Sequence, residues 1–158
     1  MSYEKIMYDN RQWIDSVWEK LDQKLSRTAV ENRYKIPYTT KDGIYDDYSE
    51  GQKITWWTNG FWGGLMWLMY SETKKECFKT TADISEEKLD RAFRYMDDLH
   101  HDVGFMWHIL SGASYRLTGN RESRNRNLLA AQILMARYNI DGEFLVAWNG
   151  KECTGWSI

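Results

Sequence analysis

An all-α protein is the fold class that the sequence predicts. Apolar residues recur at three- and four-residue steps in several separate windows, no long strand pattern interrupts them, and breaks rich in Gly, Asn and Asp divide one window from the next. Amphipathic helices in that arrangement pair into hairpins around a shared core. At 158 residues, 42% of them hydrophobic and 28% charged, the chain has the length of one globular domain and enough apolar side chains to bury a real core.

The first window runs from Tyr3 to about Asn32, with Ile14, Val17, Trp18, Leu21 and Leu25 on one stripe and charge on the other face. Pro37 and the stretch from Thr39 to Thr55, with Gly43, Gly51 and several Asp and Tyr residues, read as an irregular surface connection. Thr58 or Asn59 caps a second helix from about Gly60 to Glu72, apolar enough on all sides to be buried all round. Gly63 and Gly64, poor helix formers, predict close approach by a neighbour there. Ser85 announces a third helix as its cap; Glu86 and Glu87 suit the helix dipole, and Leu89, Phe93, Met96 and Leu99 mark the inner face. A fourth helix runs from about Phe105 to Leu117, where Thr118, Gly119 and Asn120 break it. The fifth spans about Glu122 to Tyr138, with Leu129, Ile133 and Ala136 inward, Leu128 and Met135 at the margins, and Arg124, Arg126 and Arg137 solvated. Asp141, Gly142 and Glu143 make a turn, Phe144 to Trp148 a short extended segment, and Gly155 to Ile158 the entry into a further helix. A tetratricopeptide-like solenoid is the competing all-α arrangement, but no period near about 34 residues repeats.

Composition excludes several classes of function. The formal net charge is -2, from 21 basic and 23 acidic residues spread along the chain, which leaves no basic stripe for nucleic acid. Cys77 and Cys153 lack CxxC spacing, so neither a disulfide framework nor a zinc site is indicated and a reducing compartment fits. The first residues lack the basic-then-apolar profile of a secretory signal, which points to the cytoplasm. No membrane span is expected either, because the most apolar run, Phe61 to Tyr70, falls well short of the about 20 residues a helix needs to cross a bilayer. Nine tryptophans, within an aromatic content of 15%, fit two readings: a cleft whose rings cover the flat faces of sugars, or an aromatic core.

The densest polar cluster is Asp97, Asp98, His100, His101 and Asp102. A metal site needs ligands that converge on one point, and adjacent histidines do not readily do so from one helical turn, so neither a metal nor another cofactor is expected. Asp102 falls where the third helix should end, and Gly104 allows a turn that presents its carboxylate at the mouth of a cleft. With Trp57, Trp62 and Trp107 as apolar surroundings, such a carboxyl becomes a proton donor at neutral pH. A turn acid bonded to backbone N–H groups is the alternative, and spacing alone leaves both open.

Four segments in order carry a resemblance to a known family. Trp57-Thr58-Asn59-Gly60-Phe61-Trp62 with Leu65-Met66-Trp67-Leu68, then His101-Asp102-Val103-Gly104-Phe105, then Tyr115-Arg116-Leu117-Thr118-Gly119, and finally Gly155-Trp156-Ser157-Ile158, resemble the landmarks of glycoside hydrolase family 88. The likeness runs from about Trp13 to the last residue. It implies that residues 1–158 are one domain forming the first part of an (α/α)6 barrel, a six-hairpin glycosidase fold left incomplete. It also implies an unsaturated glucuronyl hydrolase, which removes a 4,5-unsaturated uronic acid from the non-reducing end of lyase-generated oligosaccharides without a metal. In that chemistry an aspartic acid protonates C4 of the vinyl ether, water adds at C5, and the resulting hemiketal opens to release the unsaturated sugar.

By the same resemblance Asp102 is the first essential aspartate, His101 its neighbouring histidine and Trp57 an aromatic residue of the sugar subsite, with Trp62 a second substrate-binding tryptophan beside it. The family's second aspartate, credited with the general acid and base role, falls shortly beyond Ile158; Asn149 lies nearby but is an amide and does not titrate. The expected partner is an oligosaccharide containing an unsaturated uronic acid. The related unsaturated rhamnogalacturonyl hydrolase and a noncatalytic carbohydrate-binding remnant are the alternatives. A partial barrel also leaves apolar helix faces uncovered, which favours self-association.

Overall fold

The computed structural model describes residues 2–150, so the reading of Gly155 to Ile158 lies outside the described residues. The helices are α1 (Tyr3–Asp9), α2 (Arg11–Glu31), α3 (Asn59–Thr73), α4 (Glu76–Leu89), α5 (Val103–His108), α6 (Ser111–Thr118) and α7 (Arg121–Met135). Two short antiparallel hairpins accompany them, β1 (Thr40–Lys41) with β2 (Ile44–Tyr45), and β3 (Tyr138–Asn139) with β4 (Phe144–Leu145). The all-α class holds, with α3 and α4 as the central pair and α5, α6 and α7 packed around them.

The long first helix is broken at Asn10, whose Nδ2 donates to the Ile6 carbonyl at 2.8 Å. An Asn side chain that bonds the local backbone competes with the helical ladder, and here it separates α1 from α2. The stripe on α2 is covered only near its C-terminal end, where Thr28 and Ala29 are buried; Trp18 and Leu21 stay exposed. That end is tied to α4 by the Thr81 hydroxyl, which donates to the Ala29 carbonyl at 3.0 Å, and by an ion pair of Lys75 with Asp22 at 2.6 Å.

The connection read as irregular holds the first hairpin. Asp42 and Gly43 both have positive φ, 53° and 78°, the backbone that a two-residue hairpin turn demands. The aspartates after it are structural: Asp46 accepts from the backbone N–H groups of Tyr38 and Thr39, and Asp47 from those of Ile36 and Ser49.

α3 starts without a side-chain cap at Thr58. Asn59 reaches backward instead, its Nδ2 donating to the carbonyls of Lys53 (2.9 Å) and Ile54 (2.8 Å), which pins the 3-10 turn of Gly51–Thr55 under the helix start. The helix is not buried all round: Trp62, Met66, Trp67 and Met69 are buried while Phe61, Leu65 and Leu68 share an exposed face. The glycines do mark close approach. A Cβ on Gly60 would collide with the Met106 carbonyl, one on Gly63 with the Leu110 side chain, and one on Gly64 would lie 3.0 Å from the Ile109 carbonyl oxygen.

Ser85 does not begin a helix; it sits buried inside α4. Phe78, Ala82, Ser85 and Leu89, spaced by four, three and four, make the inner face, and the small serine lets α4 cross α3 at Gly63. A 3-10 turn, Asp90–Arg94, follows, so Met96 belongs to no helix and is exposed while Leu99 returns to the core. The predicted fourth helix is two, α5 and α6, parted at Ile109 and Leu110. Gly119, at φ 75°, ends α6, and the Asn120 side chain caps α7 by accepting from the Glu122 N–H at 2.9 Å. The inner face of α7 is Ser123 and Ala130 with Ile133 and Leu134 packed against the core, whereas Leu129 and Ala136 face outward. Arg126 and Arg137 are not simply solvated, because both are drawn into hydrogen bonds. No helix among the described residues is long and apolar enough to cross a membrane.

A buried polar layer joins α4, α6 and α7. Glu86, 2% exposed, accepts from Ser123 Oγ at 2.8 Å, Ser123 meets Ser114 Oγ at 2.8 Å, and Arg126 lies 3.4 Å from the same carboxylate oxygen while pairing with Asp90. Burial raises the Glu86 pKa above its ordinary value, against the opposing pull of Ser111, Ser123 and Arg126.

Two outcomes are expected. Gly60→Ala forces a methyl group into backbone and should lower stability by about 1–3 kcal/mol, read from the urea midpoint. For Glu86, a folded-state pKa raised above the unfolded one means stability that is complete below the unfolded value and is lost as pH rises through the folded value. The stability advantage of the native chain over Glu86→Gln should therefore shrink from mildly acidic to mildly alkaline buffer. An advantage that grew with pH would show the anion, held by Arg126, to be the stabilising form.

Candidate active site

The site is built on the segment between the Asp90–Arg94 turn and α5. Residues 97–101 are not helical, so Asp102 stands at the start of α5 rather than at the end of a preceding helix, and Gly104 is part of α5 rather than a turn. Asp102 occupies the N-cap position without using its side chain as a cap: its carbonyl accepts from the N–H groups of Phe105 (2.9 Å) and Met106 (3.2 Å), leaving the carboxyl free.

That carboxyl, on a residue 8% exposed, meets two imidazoles. Oδ1 lies 3.2 Å from His101 Nε2 and Oδ2 lies 3.4 Å from His100 Nδ1. Of the two readings left open by spacing, the backbone-bonded turn acid is therefore not what the geometry holds, since both oxygens face histidine nitrogens. The expectation that adjacent histidines do not converge is corrected as well. One ligand atom each from His100, His101 and Asp102 lies within 4.8 Å of the others, because the chain turns there instead of running as a helix. Three groups at that spacing have the reach to share a cation, and equally to share a proton.

The C-terminal hairpin completes the cluster. The Ala147 carbonyl accepts from the His101 backbone N–H at 3.2 Å and from His101 Nδ1 at 2.7 Å. Next to it, the Trp148 ring stands edge-on to His101 (centroids 4.6 Å, 84°) and 5.0 Å from His100, and is 45% exposed. Burial lowers the His100 pKa below its ordinary value against the opposing pull of Asp102.

The predicted tryptophans divide. Trp57 is 38% exposed, its ring edge-on to Phe61 at 5.8 Å, and offers a free face. Trp62, 8% exposed, packs in the hydrophobic core, and Trp107 is wholly buried against Phe93 at 4.3 Å. The ring over the histidines is Trp148, which sequence reasoning assigned only to an extended segment. A tryptophan next to a small residue at a hairpin exit was its one local signal. His100 fronts a surface hollow of about 450 Å3 shared with Tyr48, Lys53, Trp56 and Asp98. His101 fronts a second, apolar hollow of about 450 Å3 with Phe105, Ala130, Leu134 and Leu145.

Comparison with known proteins bears on this arrangement. No protein-family model matches the chain. It is 38% identical over 135 residues to an unsaturated chondroitin disaccharide hydrolase of Streptococcus pyogenes, and 31% identical over 135 residues to the protein of the same name from Streptococcus pneumoniae. Each match takes in 82% of this chain and 34% of the relative. Among solved structures, the unsaturated glucuronyl hydrolase of Bacillus sp. GL1, described as responsible for the degradation of glycosaminoglycan, superposes with a TM-score of 0.71 at 26% identity, over 88% of this chain and 36% of that one. The chain thus spans about a third of the length of the curated relatives it matches. In sequence, and in a helical fold that superposes on a solved member, it belongs to the unsaturated glucuronyl hydrolase family, matching the N-terminal part of its relatives.

Proposed function

We propose that Asp102, flanked by His100 and His101 and overlooked by Trp148, takes part in the hydration of a 4,5-unsaturated uronic acid at the non-reducing end of an oligosaccharide. The observation that carries this reading is the Asp102 carboxyl itself: nearly buried, unused by the helix it begins, and in contact with two imidazoles. Proton transfer to or from a reacting carbon needs a group positioned within reach of it, and a nearly buried carboxyl between two imidazoles is placed to take part in that work. The proton goes to C4, the hydroxyl of water to C5, and the hemiketal so formed opens, breaking the link to the next sugar. Trp57 and Trp148 supply exposed aromatic faces for the flat C–H surface of a pyranose.

We propose, from the resemblance of Gly155-Trp156-Ser157-Ile158 to the approach to the family's second aspartate, that the second carboxylate of the reaction lies beyond Ile158. Chemistry that divides acid and base work between two carboxylates loses about 100- to 10,000-fold without one of them. Between the two enzyme readings, the names of the relatives favour a glycosaminoglycan disaccharide over the pectin fragment of a rhamnogalacturonyl hydrolase. A noncatalytic sugar-binding role predicts saturable binding with no turnover.

The conjugated uronate loses its ultraviolet absorbance on hydration, which gives the assay. Residues 1–158 alone should leave an unsaturated chondroitin disaccharide essentially unchanged, and a chain extended through the second aspartate should consume it. Asp102→Asn in that extended chain should cut kcat by about 100- to 10,000-fold. Full turnover by residues 1–158 would refute the placement of the second acid. Undiminished turnover by the extended Asp102→Asn chain would refute the role of Asp102.

A further inference from the structure

Arg137 follows the end of α7 and turns its side chain back against the chain beyond β4. Its Nε donates to the Val146 carbonyl at 2.6 Å, and one terminal nitrogen donates to Asn149 Oδ1 at 2.7 Å and to the Leu99 carbonyl at 3.3 Å. Asn149 continues the connection, its Nδ2 donating to the carbonyls of Asp97 (2.7 Å) and Leu99 (3.2 Å). No carboxylate pairs with Arg137 among the described residues, so the guanidinium is spent wholly on neutral acceptors. These bonds bridge two segments far apart in sequence: the turn that carries His100, His101 and Asp102, and the chain after β4 that carries Ala147 and Trp148.

Between the bridged segments lies the Ala147 carbonyl, which accepts twice from His101. A carbonyl oxygen only accepts, so His101 Nδ1 must carry a hydrogen. In the neutral imidazole that leaves the lone pair on Nε2, which faces Asp102 Oδ1 at 3.2 Å. Two lone pairs in contact repel. The contact is attractive only with a proton between them, on Nε2 or on Oδ1. His100 has the opposite arrangement: its Nδ1 accepts the Asp102 N–H at 3.4 Å and lies 3.4 Å from Oδ2, so its own hydrogen, in the neutral ring, is on Nε2.

We infer that Arg137 and Asn149 are positioning residues of this site: by latching the C-terminal hairpin to the 97–102 turn they hold the Ala147 carbonyl against His101, fix that imidazole with Nδ1 protonated, and keep one proton shared between His101 Nε2 and Asp102. Its meaning for catalysis rests on the hydrolase reading above; the latch and the tautomer do not. The charged and titratable groups facing the pair are His100 on the same turn, Arg137 from the end of α7, Asp98 beside the His100 hollow and His108 on the wall of the His101 hollow. Burial first, and after it the neighbouring His101 and Arg137 charges, disfavour a cation on His100. Lysine is a poor substitute for Arg137, because one ammonium does not reproduce a planar fork held by three acceptors.

The chain has three histidines, so nitrogen-15 imidazole spectra of residues 1–158 resolve each ring without reference to turnover. His101 should show its hydrogen on Nδ1. In Arg137→Ala and in Asn149→Ala that preference should collapse to a mixture, with about half of His101 in the other tautomer, and Arg137→Lys should not restore it. The His108 signals, unmoved, report that the fold is intact. Should Arg137→Ala fail to fold, the surface variant Asn149→Ala decides alone. A hydrogen on Nε2 in the native chain, or an Nδ1 tautomer that persists in the folded variants, overturns the inference. A His101 spectrum that changes when EDTA is added also overturns it, since the cluster would then be holding a cation. A chain that is latched as described yet inactive on unsaturated disaccharides would leave the inference standing and refute only the hydrolase reading.

Discussion

The fold turns on the contact between the start of α3 and the backbone of α5. Gly60 lies so near the Met106 carbonyl that no side chain fits between them, while Gly63 leaves room for the Leu110 side chain that follows α5. Two helices that approach at backbone distance lock their relative position more firmly than side-chain packing alone, since no rotamer change relieves a collision with main chain. Around that contact Met66, Trp67, Met106 and Trp107 close the core. The first residues of α5 are thereby fixed, and Asp102 is the residue that precedes them. The position of the candidate acid is set by glycines some forty residues earlier in the chain.

A site of this kind is assembled from parts that no single element contains. The 97–102 turn offers His100, His101 and Asp102, α5 fixes where they end, and the chain after the β3–β4 hairpin brings a carbonyl and an indole over them. The hairpin is short and carries little buried apolar surface of its own, so its place depends on polar bonds to the turn. Polar bonds at a half-exposed seam contribute about 0.5–1.5 kcal/mol each, which makes several in parallel necessary. That requirement fits the arrangement of Arg137 and Asn149, which between them engage three carbonyl oxygens, of Val146, Leu99 and Asp97, besides the bond that joins the two side chains.

Legibility in the sequence followed the physics of each feature. The five apolar windows were legible because helical periodicity is local; α3 and the α6–α7 break at Gly119 and Asn120 lie where composition placed them. The start of α4 was missed because Ser85 has the chemistry of a cap and also the size of a residue at a tight helix crossing, and only the neighbour at Gly63 distinguishes the two. The Asp42-Gly43 turn was readable and was passed over within a stretch that looked merely irregular. The motif around His101 and Asp102 marked the place of the candidate site, but the convergence of His100 with it depends on the absence of helix from residues 97–101. Trp148 and Arg137 are placed by contacts across dozens of residues, and nothing in a local window encodes such contacts.

The uneven cover on the molecule has the same origin. α4 is clothed on its inner face by α3 and at one end by α2, and its buried Glu86 accepts from Ser123 of α7. α3 is covered on one side only. Phe61, Leu65 and Leu68 face outward from the helix whose opposite side builds the core, and Trp57 stands at its start with a free ring. Apolar area left in contact with water costs about 25 cal/mol for each Å2, so an exposed helix face on the central pair is a standing penalty unless it meets something. The relatives are about three times as long as the part of them that this chain matches. The exposed face of α3 lies beside Trp57, so under the proposed function a sugar against Trp57 and any segment packed on Phe61, Leu65 and Leu68 would meet on adjoining surface.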